Sequence, residues 1–171
     1  MKNWTSTLSD ISRQYLSEFG SLTNEQLNWK PNSTVWSIAQ NLDHLIVTNE
    51  SYYPVLASIK AGTHKTPFIA KLGFIVSFLG KTVLNAVQPD RKKKMKTFPT
   101  WEPTASNVNS DILNRFQNHQ IELIQKIDGT KELLEKGVVI SSPANKNIVY
   151  KLETAFDIIV SHEQRHLEQA K

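Results

Sequence analysis

The sequence predicts an all-α protein, a bundle of four amphipathic helices, and three observations carry that prediction. Apolar residues recur at steps of three and four through four long segments, the period of a helix with one buried face. No segment shows a strong alternation of the kind a half-buried strand requires. The last segment sets two histidines, His162 and His166, one helical turn apart on the same apolar stripe.

The chain has 171 residues, 39% hydrophobic and 21% charged, which suits one globular domain over residues 1–171 with enough chain to bury a core. It contains no cysteine, so disulfides, thiolate ligands and a cysteine nucleophile are excluded. Any metal must be held by histidine nitrogen, carboxylate oxygen and water. The first residues form no apolar run of the signal-peptide kind, and a cytoplasmic location is the expectation. Much of the net charge of +4 sits in Arg91, Lys92, Lys93, Lys94 and Lys96. Such a run reads as a solvated loop, and with no interleaved aromatics or glycine-rich loop no nucleic-acid partner is expected.

The first helix is expected over residues 4–20, with Leu8, Ile11, Tyr15 and Phe19 inward and Gly20 as its stop. A connector follows to Val35, with a turn at Trp29-Lys30-Pro31-Asn32. The second helix begins near Trp36-Ser37 and carries Ile38, Leu42, Leu45, Asn49, Tyr52, Leu56 and Ile59 on one stripe. Pro54 falls inside it and either bends or breaks it.

Residues 67–88 form an apolar insertion before the third helix. Lys71 and Lys81 leave only nine uncharged residues between them, too few to cross a bilayer. An added helix packed within the protein or a dimer face is the favoured reading, ahead of a membrane-surface helix followed by the basic run. The third helix is expected over residues 104–128, with Val108, Ile112, Phe116, Leu123 and Ile127 inward and Gly129 closing it. Residues 138–143 read as a short extended piece or a loop, and the fourth helix runs from Ile148 to the end.

The stripe of that last helix is Leu152, Ala155, Ile159, His162 and His166, so both imidazoles aim inward. Buried together they need a shared partner, for which a metal ion is the obvious choice, the alternative being an incidental pair of hydrogen-bonded core histidines. His44 on the second helix is the candidate third ligand, since facing helices of a bundle present side chains to one point. It lies in a row with Ser37, Asn41, Thr48 and Ser51, which borders either an internal pocket or the solvent face. Three neutral imidazoles with an open position suit zinc, nickel or a similar divalent ion. His162, Glu163 and His166 also have the spacing of a zinc-protease helix, but no histidine follows and no sheet is expected, so that class is set aside. Asp43, Glu163 and Arg165 adjoin the ligands but diverge from them by about 100° around the helix, toward supporting or surface positions. His119, between Phe116 and Leu123, reads as a hydrogen-bonded core histidine ahead of a pocket residue.

Residues 36–45, Trp-Ser-Ile-Ala-Gln-Asn-Leu-Asp-His-Leu, resemble the second-helix signature of the DinB/YfiT-like superfamily. The closing pattern of His162, His166 and Gln169 resembles that family's last motif, and the linkers at residues 27–31 and 98–103 fit in order. The resemblance implies an up-down-down-up four-helix bundle, often a homodimer, with one divalent metal near one end on His44, His162 and His166. Zinc or nickel is expected first, with manganese or iron also compatible. It further implies a small-molecule substrate, with relatives that transfer low-molecular-weight thiols such as bacillithiol or mycothiol, isomerise or hydrolyse. Metal-bound water or thiol, brought near neutral pKa, would be the nucleophile, and no catalytic side chain beyond the ligands is named. The rival reading is a non-catalytic, homodimeric metal- or ligand-binding stress-response module. The insertion at residues 67–88 matches no core motif of the family.

Overall fold

A computed structural model describes residues 2–90, 97–103, 105, 107–109 and 111–171. The basic run at residues 91–96 and the expected helix start at Thr104 lie outside the described residues. The chain is mostly helical. Helix α1 (Trp4–Phe19) buries Leu8, Ile11, Tyr15 and Phe19, and the Gly20 amide closes it onto the Leu16 carbonyl at 2.8 Å. The connector contains one short helix, α2 (Asn24–Asn28), started by a reciprocal Thr23–Gln26 capping box.

Helix α3 (Ile38–Glu50) begins on the same device. Ser37 Oγ accepts the Gln40 amide at 3.1 Å, and Gln40 Oε1 accepts the Ser37 amide at 3.2 Å. Two of the four orphan amides at the helix end are thereby satisfied, which fixes the phase of every residue after it. The expected second helix then breaks. Ser51 and Tyr52 separate α3 from α4 (Tyr53–Lys60), in which Pro54 occupies the first turn. Proline has no amide to give the Glu50 carbonyl but suits a helix start, so Pro54 ends one helix and opens the next.

The apolar insertion forms a 3₁₀ turn (Phe68–Lys71) and helix α5 (Gly73–Ala86). A second 3₁₀ turn follows at Pro99–Trp101. Helix α6 runs Ile112–Asp128, eight residues shorter at its start than expected. The reason lies 80 residues away in sequence. The Asn28 side chain pairs with the backbone of Val108 in both directions, donating to its carbonyl at 2.9 Å and accepting its amide at 2.7 Å. Val108 is buried as expected, but its backbone is spent on the connector rather than on a helix.

After α7 (Lys131–Glu135), strands β1 (Val139–Ser142) and β2 (Asn145–Lys151) form an antiparallel hairpin that pairs Ile140 with Tyr150 and Ser141 with Val149. Strand β1 falls in the stretch read as an extended piece or a loop, whereas β2 takes residues expected in the last helix, so α8 starts at Leu152, not Ile148 (Leu152–Ala170). Ile148, Val149 and Tyr150 are β-branched or aromatic, and once paired with the Val139–Ser142 strand they gain more from the pleated ladder than from a helix turn.

Helices α1 and α3 each pack on both α6 and α8, and the core lies among these four. One cluster gathers around Phe156, Tyr150 and Leu123, the other around Tyr15, Phe116 and Leu42. The hairpin and α5 close the first cluster, and Gly80 sets the approach of α5. A Cβ there would lie 3.1 Å from Tyr150 Cβ and 3.1 Å from Thr154 Cγ2. Gly80→Val is therefore expected to pry α5 off the hairpin and to destabilise by about 1–3 kcal/mol, read as a lower urea midpoint.

Candidate metal centre

The capping box at Ser37 phases α3 so that Ser37, Asn41, His44 and Thr48 share one row, and all four are buried. The row borders an internal site rather than solvent. On α8 the apolar stripe buries Leu152, Ala155 and Ile159, and the next residues along it are His162, partly buried, and His166, buried. Packing of α3 against α8 brings the three rings together.

His162 Nε2 lies 3.3 Å from His44 Nε2 and 3.0 Å from His166 Nε2. One nitrogen from each ring lies within 4.8 Å of the others, and among the described residues these three form the one group of this kind. The far nitrogens decide what the near ones can do. His44 Nδ1 meets the Trp101 carbonyl, and His166 Nδ1 meets Asn41 Oδ1 at 2.7 Å. Asn41 has its own orientation set, because its Nδ2 donates to the Ser37 carbonyl at 2.9 Å, leaving only its oxygen for His166. Both partners are acceptors, so both Nδ1 atoms carry the proton and both Nε2 atoms present lone pairs. One hydrogen on His162 Nε2 satisfies at most one of them. A divalent cation accepts all three, and the donor set fits such an ion.

Burial lowers the pKa of all three rings. His162 is brought down to about 3, first by desolvation and then by the His44 and Arg165 charges. His166 falls well below its usual value from burial and from its two histidine neighbours, and His44 falls by burial despite the opposing pull of the Trp101 carbonyl and Asp43. Neutral imidazoles are the ligand form. The Trp36 ring flanks the cluster, stacked 6.2 Å from His166 and tilted 4.9 Å from His44.

Behind the histidines lies a buried polar network. Of the two positions expected for Glu163, supporting or surface, it takes the first and is fully buried. Its Oε1 accepts from Asn49 Nδ2 at 2.7 Å and its Oε2 from Gln120 Nε2 at 2.5 Å, so α8 is tied to α3 and α6. Desolvation raises its pKa to about 7 against the pull of the two amides. His119 lies outside the cluster. It is a buried, hydrogen-bonded histidine, 3.2 Å from Asn49 Nδ2 and 3.3 Å from the Tyr53 hydroxyl. Asp43 is buried 3.3 Å from Arg115, and Arg165 donates to the Ala86 and Gln88 carbonyls at the end of α5. Gln120 and the Trp101 carbonyl escaped the sequence reading. Gln120 follows His119 on the buried side of α6 and was open to a search for polar residues in that stripe, whereas no sequence signal marks a single loop carbonyl.

The titrations have a definite consequence for acid stability. His44, His119, His162 and His166 all have folded values below 6.5, with His119 at about 4. Unfolding lets each take up a proton below 6.5, so the stability they carry is lost as pH falls. Glu163, raised from 4.5 to about 7, and Glu50, raised by partial burial, act in the opposite sense, but they are two groups against these four histidines and His64, which burial also lowers. Chelator-treated protein is expected to show a urea midpoint that falls from neutral pH to about pH 5. A midpoint that rises on acidification would contradict the buried neutral state of the rings.

A mostly helical chain with three converging imidazole nitrogens defines a class, that of helical proteins with an all-histidine cluster able to hold a metal. The family follows from the sequence match, in which the DinB superfamily covers residues 8–170, and the chain belongs to that superfamily. No curated protein and no solved structure matches it.

Proposed function

We propose that the chain is a divalent-metal-dependent enzyme acting on a small molecule, with His44, His162 and His166 as the ligands. The observation that carries this reading is the tautomer arrangement, in which the Trp101 carbonyl and Asn41 Oδ1 hold two Nδ1 protons outward and free two Nε2 lone pairs toward His162. A divalent ion supplies Lewis acidity there and lowers the pKa of a coordinated water or thiol toward neutrality. Zinc or nickel suits three neutral imidazoles best. The α1, α3, α6 and α8 packing supports an up-down-down-up bundle, and no helix among the described residues is long and apolar enough to cross a membrane, which is compatible with a cytoplasmic enzyme.

Thiol transfer to an electrophile is the favoured reaction and hydrolysis the next, because both use a nucleophile generated by the ion and need no cysteine from the chain. One observation favours a second reading, a binding module without turnover. Glu163, the carboxylate adjoining a ligand, is held by Asn49 and Gln120 rather than turned to the cluster. Chelated protein reloaded with zinc or nickel, assayed with low-molecular-weight thiols and electrophiles and with ester and amide substrates, separates the two. Turnover that returns with the ion and is absent in His44→Ala supports the enzyme. Stoichiometric metal with no turnover across both reaction classes supports the module.

A further inference from the structure

Helix α5 buries Val76 and Gly80 against the hairpin and α8, yet its other side carries large apolar groups in water. Phe74 is 76% exposed and Phe78 68%, four residues apart on one face, and Phe68 in the preceding 3₁₀ turn is 72% exposed. Lys81 continues the Phe74–Phe78 face, and the Lys71 ammonium sits 5.8 Å from the Phe68 ring centre. Packing demands cannot explain these rings, because the helix already has its buried face.

The charge along this stretch of the chain is one-signed. Between Glu50 and Asp90 the sequence carries Lys60, Lys65, Lys71 and Lys81 and no acidic residue. Lys65, Lys71 and Lys81 are exposed, and none has a carboxylate within 4.0 Å among the described residues. The 20 basic residues are concentrated in the same stretch, nine of them between Ser51 and Trp101 with only one of the 16 acidic residues, so the rest of the chain is net negative.

We infer that the Phe68–Phe74–Phe78 face with Lys71 and Lys81 is a docking surface for an anionic lipid bilayer. Phenylalanines beside lysines on a surface helix place rings at the acyl boundary and ammonium groups among headgroup phosphates. A second copy of the chain fits less well. A two-fold interface sets the same patch against itself, so the lysines of one copy would lie among those of the other, in a stretch that carries no acidic residue between Glu50 and Asp90. Arg165 of α8 ties down the C-terminal end of α5 by donating to the Ala86 and Gln88 carbonyls, where the helix dipole favours a cation.

The test is co-sedimentation of the full chain with vesicles of phosphatidylcholine alone and of phosphatidylcholine with phosphatidylserine. Wild type is expected to sediment only with the anionic vesicles, and less as salt is raised. Phe74→Ser with Phe78→Ser should weaken partition by about tenfold per ring. Lys71→Glu with Lys81→Glu should abolish it. All four side chains are exposed, so circular dichroism and unfolding midpoint should be unchanged in both variants. No sedimentation of wild type at low salt overturns the inference, as does anionic binding that neither variant alters. A concentration-dependent dimer lost in the phenylalanine variant would place a second copy on this face and overturn it too.

Discussion

Glu163→Ala is expected to destabilise the protein by about 3–5 kcal/mol, because two buried amides lose their acceptor and a cavity opens between three helices. Glu163 is fully buried, and Asn49 and Gln120 each spend an amide hydrogen on it. Neither amide can turn to water. The isosteric Glu163→Gln should cost far less, about 1 kcal/mol or below. Asn49 Oδ1 and Gln120 Oε1 are themselves buried with no partner among the described residues, so a flipped Gln120 can offer its oxygen to the new amide. Urea unfolding of both variants checks this, and equal losses for alanine and glutamine would show that the hydrogen bonds are not what the site depends on. The glutamine variant should also lose the part of the pH dependence that Glu163 contributes between 4.5 and about 7.

The second large effect concerns Asn41. Its oxygen holds the His166 Nδ1 proton at 2.7 Å, and its amide is locked on the Ser37 carbonyl. Asn41→Leu keeps the volume and removes the acceptor, so His166 is free to move its proton to Nε2, the atom that must present a lone pair. Loss of such an outer hydrogen bond typically lowers metal affinity by about 10–100-fold. Competition titration with a chromogenic chelator reads this directly. Asn41→Asp, which keeps an acceptor, should retain most of the affinity, while an Asn41→Leu protein with wild-type affinity would mean that His166 needs no help in choosing its tautomer.

What could be read from the sequence, and what could not, divides along physical lines. Helix α1 and the two histidine-bearing faces were legible because burial on a helix leaves a three-and-four period, and Leu152, Ala155, Ile159 and His166 are buried as that period requires. The capping residues Ser37 and Gln40 mark the start of α3 just as plainly. The row of Ser37, Asn41 and Thr48 was ambiguous, since small polar residues occur both beside pockets and at helix edges, and only packing against α8 settles it. Strand β1 lies in the stretch read as an extended piece or a loop, but β2 was missed because Ile148 and Val149 fit an apolar stripe as well as a strand, and the partner strand that decides between them lies outside any local window. The late start of α6 depends on Asn28, 80 residues from Val108. Glu163 stayed open between a supporting and a surface position because a residue 100° from a ligand faces solvent on an isolated helix but a third helix in a bundle, where Gln120 of α6 meets it.

The centre itself is tested most directly by elemental analysis of untagged protein purified without chelator, wild type beside His162→Ala. His162 Nε2 is the atom common to both short contacts, so its removal dismantles the set while leaving His44 and His166 on their acceptors. About one divalent ion per chain in the wild type, and none in the variant, is the expected result. A wild-type chain that holds no ion even after incubation with zinc, nickel or manganese would contradict the metal centre and leave the three imidazoles as pocket or core residues.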